Sequence, residues 1–138
     1  MKKLVFIILT LTSILSFSQT EKDSLKLDII DSFKAVNSSD YKSLLNYFPD
    51  FVFENISKEE LLNDMTNDIK SYLSEDIKVE IDTIMTIDSV KYARFYLEDG
   101  VRTYGIKTQT NKNWTFIDLN EMTKKYIPIQ IQATEKNN

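Results

Sequence analysis

The sequence predicts an α+β domain: three N-terminal helical segments packed on a curved four-stranded antiparallel sheet. Three observations carry that prediction. Apolar residues recur at helical spacing as far as Leu73, and the period drops to two from Ile77. Glu98-Asp99-Gly100 and Asn111-Lys112-Asn113 then break the second half into strands short enough to pair as a meander.

Residues 1–18 read as a signal peptide. Lys2 and Lys3 precede an apolar run from Leu4 to Leu15, and Ser16-Phe17-Ser18 suits cleavage before Gln19. The run is shorter than the roughly 20 apolar residues of a spanning helix. It is also diluted by Thr10, Thr12 and Ser13, so cleavage rather than anchoring is expected. The product is a periplasmic or secreted soluble chain, with no membrane association after cleavage. At 138 residues and 42% hydrophobic content it is sized for one domain.

Residues 19–23 are polar and expected to be flexible, and a single domain spans 24–132. Its first helix begins near Ser24, with a buried stripe of Leu25, Ile29, Phe33 and Val36 widened by Leu27 and Ile30, and with Asp28 and Asp31 on the wetter side. Ser39 is placed to cap a second helix carrying Tyr41, Leu44, Leu45 and Phe48, which Pro49 stops. Asp40 falls in its first turn, a structural rather than catalytic position. Phe51 and Phe53 alternate as a short strand. Ser57-Lys58-Glu59-Glu60 is a capping box opening a third helix through Leu61, Leu62, Met65, Ile69, Tyr72 and Leu73.

In the strand region, Ile77, Val79, Ile81, Thr83, Met85 and Ile87 share one face. Val90 to Leu97, Val101 to Gln109 and Trp114 to Leu119 follow as the remaining strands. Met122 to Gln132 is read as a short lid or edge segment, and residues 133–138 as a disordered tail.

Composition excludes several chemistries. With no cysteine and no histidine, the chain has no thiolate metal site, disulfide, lipidated N-terminal Cys or imidazole-activated nucleophile. Loss of Lys2 and Lys3 with the leader leaves 15 basic residues against 21 acidic, a formal charge of −6. Nucleic acid is not an expected partner, because a polyanion is repelled on average and no basic cluster interleaves with aromatics. No cofactor is expected. Glu60, Asp64 and Asp68 recur every four residues, which is read as a solvated helix face rather than a metal site.

The stretch from Phe33 to Glu54, with Ala35, Ser39-Asp40, Leu44, Phe48, Asp50 and Val52-Phe53, resembles the opening of nuclear transport factor 2-like domains of cystatin-like α+β cone form. Ser39 stands where that opening commonly has glycine. The closing strand NWTFIDLN is similar to the family's Trp-x-Ile/Phe ending, so the likeness covers residues 24–120. It implies a cone-shaped pocket between helices and sheet, in a superfold shared by isomerases, dehydratases, polyketide cyclases and noncatalytic binding modules. The oxyanion-stabilising tyrosine of steroid-isomerase relatives falls at Ser32 here, and their catalytic aspartate near Asn55 or Ile56. Neither matches. Glu54 is the nearest carboxylate, and the His-Asp pairing of dehydratases has no histidine to use.

The candidate ligand-binding residues are therefore Phe33, Phe53, Met65, Trp114 and Phe116 as pocket lining, with Arg94 and Tyr104 as a polar constellation beside Tyr92, Tyr96 and Arg102. All of them are equally readable as core or as cover for a sheet face. The expected function is noncatalytic binding of a small apolar or amphipathic ligand or a protein partner. The alternatives are a lyase or isomerase using Glu54 or Asp118 as general base, and a homodimer formed through the sheet.

Overall fold

The computed structural model describes residues 2–69 and 76–132, with side chains from Gln19 onward. The expected end of the third helix at Tyr72 and Leu73, the side chains of residues 1–18, and the tail 133–138 lie outside the described residues. The fold is α+β, with three helices N-terminal to a four-stranded antiparallel sheet of order β1-β2-β3-β4.

Helix α1 runs unbroken over Lys2–Asn37, so it passes through residues 19–23 instead of beginning near Ser24. No Gly or Pro interrupts this stretch, and once a helix exists each further residue adds a hydrogen bond at little cost. Glu21 within it pairs with Lys91 of the sheet. The buried stripe is Leu25, Ile29 and Ala35, while Leu27 is 60% exposed rather than part of it. Fully burying Leu25 and Ile29 contributes about 2 to 3 kcal/mol each.

The end of α1 explains Ser39. Its φ is +57°, its N–H donates to Val36 O at 3.0 Å, and the Asp40 N–H donates to Ala35 O at 2.9 Å. These bonds satisfy the last carbonyls in a Schellman motif, whose left-handed residue is usually glycine. Ser39 is therefore not the cap of the next helix. Asp40 is: its Oδ1 accepts the Ser43 N–H at 3.1 Å at the start of α2, Tyr41–Leu44. Hydrogen bonding from the Ser43 side chain, and then from its N–H, holds the Asp40 carboxyl below its ordinary pKa.

A 3₁₀ turn over Leu45–Tyr47 follows, then a second over Asp50–Glu54 where the alternation of Phe51 and Phe53 predicts a strand. An isolated strand would leave its amides unpaired, whereas here the Val52 N–H bonds Pro49 O at 3.0 Å. Helix α3, Lys58–Asp68, opens with Ser57 Oγ accepting the Glu60 N–H at 3.1 Å. α2 and α3 pack against the end of α1 around Ala35, Tyr41, Leu44 and Met65, a cluster drawn wholly from helical segments. The sheet is thus covered mainly by α1, with Tyr47 of the first 3₁₀ turn reaching Phe116 of the last strand, rather than by a layer of three helices.

Strands β1 (Val79–Ile87), β2 (Val90–Leu97), β3 (Arg102–Lys107) and β4 (Thr115–Ile117) form the expected meander. Asp88 and Ser89, both at positive φ, make the two-residue turn between β1 and β2. Strict alternation in β1 fails at one place. Ile81 pairs with Phe95 and Thr83 with Arg94, leaving Asp82 as the extra residue of a bulge. The slip carries Ile84 to the α1 side with Val79 and Ile81, and Met85 to the opposite side.

The α1 side holds Ala93, Phe95 and Trp114 against Leu25 and Ile29. Gly105 lets the sheet approach the indole closely there, because a Cβ would stand 3.1 Å from Trp114 Cε3 and the ring would have to give way. The opposite side holds Tyr104, Ile106 and Ile117, and the C-terminal segment lays Ile127 and Ile131 across them. That segment is neither lid nor edge: it is the second cover of the sheet.

Candidate functional site

The structure distributes the expected site residues over four places. Phe33, Trp114 and Phe116 belong to the core between α1 and the sheet, with Trp114 wholly buried and Phe116 edge-on to Phe95 at 5.8 Å. Met65 is buried in the helical cluster. Arg94 and Tyr104 are cross-strand partners on the opposite sheet face, and Tyr96 faces Arg102 beside them. A side-chain hydrogen bond to Tyr104 raises the Arg102 pKa further.

Arg94 is held by the chain itself. Its Nε donates to Asp82 Oδ2 at 2.5 Å and its Nη1 to Ile131 O at 2.9 Å. The bulge at Asp82 makes this possible by setting an extra carboxylate opposite the guanidinium. The pair pins the C-terminal cover to the sheet. Glu54 and Asp118 are both exposed, and Asp118 contributes its carbonyl to the Thr123 hydroxyl at 2.5 Å. Among the described residues, no group of three or more acidic side chains is arranged to hold a metal ion.

Phe51 and Phe53 diverge from the 3₁₀ turn. Phe53 turns toward the β3–β4 loop, where Lys58 Nζ lies 4.9 Å from its ring centre. Phe51 turns toward the C-terminal segment and stacks on Tyr126 with ring centres 3.7 Å apart and planes within 5°. Beside that stack lies a cleft of about 470 Å³, walled by Val52 and Ile56 on one side and by Met122, Thr123 and Tyr126 on the other. Met122 is 77% exposed at its mouth, and Lys125 lies in the same wall with its Nζ 4.8 Å from the Tyr126 ring centre. Glu121 lines the cleft as well, and its carboxylate pairs with Lys124. The cleft therefore offers an apolar bed with Lys125 and the Lys124-paired Glu121 at its rim, the composition of a site for an amphipathic molecule.

Sequence reading missed this cleft because neither wall announces itself. Val52 lies within an expected strand and Ile56 beyond its end, and Met122 is a lone apolar residue in a polar stretch. The i, i+4 pair Met122 and Tyr126, preceding Ile127, was the available signal.

It also missed Asp28. This half-buried carboxylate accepts the Trp114 N–H at 2.8 Å. Burial raises its pKa, opposed by the Trp114 bond and by Lys107. Tyr47, stacked on Phe116 at 6.2 Å, is raised by burial and by the charges of Asp31 and Asp28. The arrangement joins α1 to the edge of β4 and belongs to the architecture. Among the described residues, no helix is long and apolar enough to cross a membrane. Comparison with protein-family models, with curated proteins and with solved structures finds no match to this chain.

Proposed function

We propose that this chain is an exported, noncatalytic binding module that takes up a small amphipathic ligand in the cleft between the Asp50–Glu54 turn and the C-terminal segment. One observation carries the reading: the cleft of about 470 Å³ is lined chiefly by Phe51, Val52, Ile56, Met122 and Tyr126. That volume lies in the range of small-molecule sites, and its apolar walls reward burial of a hydrocarbon body. Lys125 pairs with an acidic head group at the rim. Export rests on the Lys2-Lys3 start, the apolar run and the small residues before Gln19. The helix-then-meander order is compatible with the nuclear transport factor 2-like resemblance, whose members include noncatalytic binding modules.

The test is a thermal-unfolding titration of the chain without residues 1–18, using sodium decanoate and 1-decanol, against Met122→Glu. Met122 is exposed, so the substitution leaves the fold intact. A saturable rise in Tm with decanoate that Met122→Glu reduces supports the reading. No rise with either amphiphile, or an equal rise in the variant, contradicts it.

A further inference from the structure

We infer that a second, separate cleft binds an uncharged, hydroxyl-rich ligand of the saccharide class. It lies between the 45–58 segment and the loop joining β3 to β4, on the other side of the 3₁₀ turn from the apolar cleft, and encloses about 380 Å³. Its composition is the reverse of the first. Asn46, Asn111, Asn113 and Thr110 supply neutral polar groups, and Phe48 and Phe53 supply aromatic surface.

The decisive feature is unspent hydrogen-bonding capacity. Each carboxamide offers two donors and one acceptor oxygen. Among the described residues, the side chains of Asn46, Asn111 and Asn113 enter no hydrogen bond within the chain, although all three border one cleft. The loop that presents two of them is organised through other atoms: Thr108 Oγ1 accepts the Asn111 N–H at 3.2 Å and lies 3.1 Å from the Thr110 hydroxyl. The loop is thus held without consuming the Asn111 and Asn113 amides.

Amides match hydroxyl groups, which both donate and accept, better than they match ions. Charge in the cleft is of both signs, with Asp50 opposing Lys58 and Lys112, and Lys58 is already drawn to the Phe53 ring. No single-sign field selects an anion. An aromatic ring beside a set of amides suits a sugar ring, whose weakly positive C–H face packs on the negative face of the arene while its hydroxyls reach the amides.

The experiment is a nuclear magnetic resonance titration following the backbone and side-chain amides of the ¹⁵N-labelled chain without residues 1–18. The probes are cellobiose, chitobiose and maltotriose, with inorganic phosphate in a parallel series. Saturable shifts of the Asn46, Asn111 and Asn113 amides with at least one saccharide, weakened about tenfold in Asn111→Ala, support the inference. Asn46→Asp serves as a second variant that keeps side-chain size, and it weakens binding by removing donors. Three outcomes overturn the inference: no shift with any saccharide, shifts with phosphate alone, or saccharide shifts confined to Met122 and Tyr126. Because those last two residues report the apolar cleft, the two sites fail independently.

Discussion

Asp28 Oδ2 accepts the backbone N–H of Trp114 at 2.8 Å, a bond between α1 and the start of β4 across 86 positions of sequence. It ties the first element of the domain to the last strand and seats the wholly buried Trp114 beneath α1. Without that acceptor a partly buried amide is left unpaired.

Asp28→Ala is therefore expected to destabilise the protein by about 1 to 3 kcal/mol. Asp28→Asn keeps an acceptor oxygen of the same reach and removes a charge that burial penalises, so its stability at neutral pH should stay within about 1 kcal/mol of the parent. Urea unfolding of the two variants measures the contrast. Equal losses in both would show that the charge, not the acceptor, matters.

The same group sets a pH dependence. Burial raises the Asp28 pKa in the folded protein, so the native state holds this proton more tightly than the unfolded chain does. Its contribution is fully present below the unfolded value of about 3.9 and is lost as pH rises through the raised native value. Asp28→Asn lacks this titration. Its stability relative to the parent should climb with pH across that window and then level off. A constant difference from pH 4 to 7 would contradict the assignment.

Ser39 occupies a left-handed conformation that a side chain resists by about 1 to 2 kcal/mol, and glycine enters it freely at some entropic cost. Ser39→Gly should stabilise the protein by about 0.5 to 1 kcal/mol, read as a higher denaturation midpoint with unchanged slope. A lower midpoint would mean that the helix end is not built as described.

Arg94→Met removes the guanidinium that joins Asp82 to the Ile131 carbonyl. Hydrogen exchange at Ile131 and Gln132, whose N–H groups bond Pro128 O at 3.0 and 3.2 Å, should accelerate at least tenfold. Pairing amides of β2 and β3 should change little. Uniform acceleration would instead make Arg94 a support of the whole sheet.

The meander and the helices that precede it were legible because their signals are local. Period-two alternation marks β2, and Ser57 three residues before Glu60 marks the start of α3. Two features depend on distant partners and so were hidden. The strand expected at Phe51 and Phe53 finds no sheet edge to join and closes into a 3₁₀ turn, whose Phe51 stacks on Tyr126. The bulge at Asp82 is visible only from the register against β2, and the α1 face of β1 changes parity there. The site suffered most, since Val52 lies far in sequence from Met122 and Tyr126 and meets them only because Ile127 and Ile131 anchor the C-terminal segment.

The apolar cleft is the centre of the account, and intermolecular nuclear Overhauser effects from bound decanoate test it most directly. The account predicts contacts from the alkyl chain to the Met122 methyl group and to ring protons of Phe51 and Tyr126. Contacts to Trp114 and Phe116 in place of these, or none at saturating amphiphile, would contradict it.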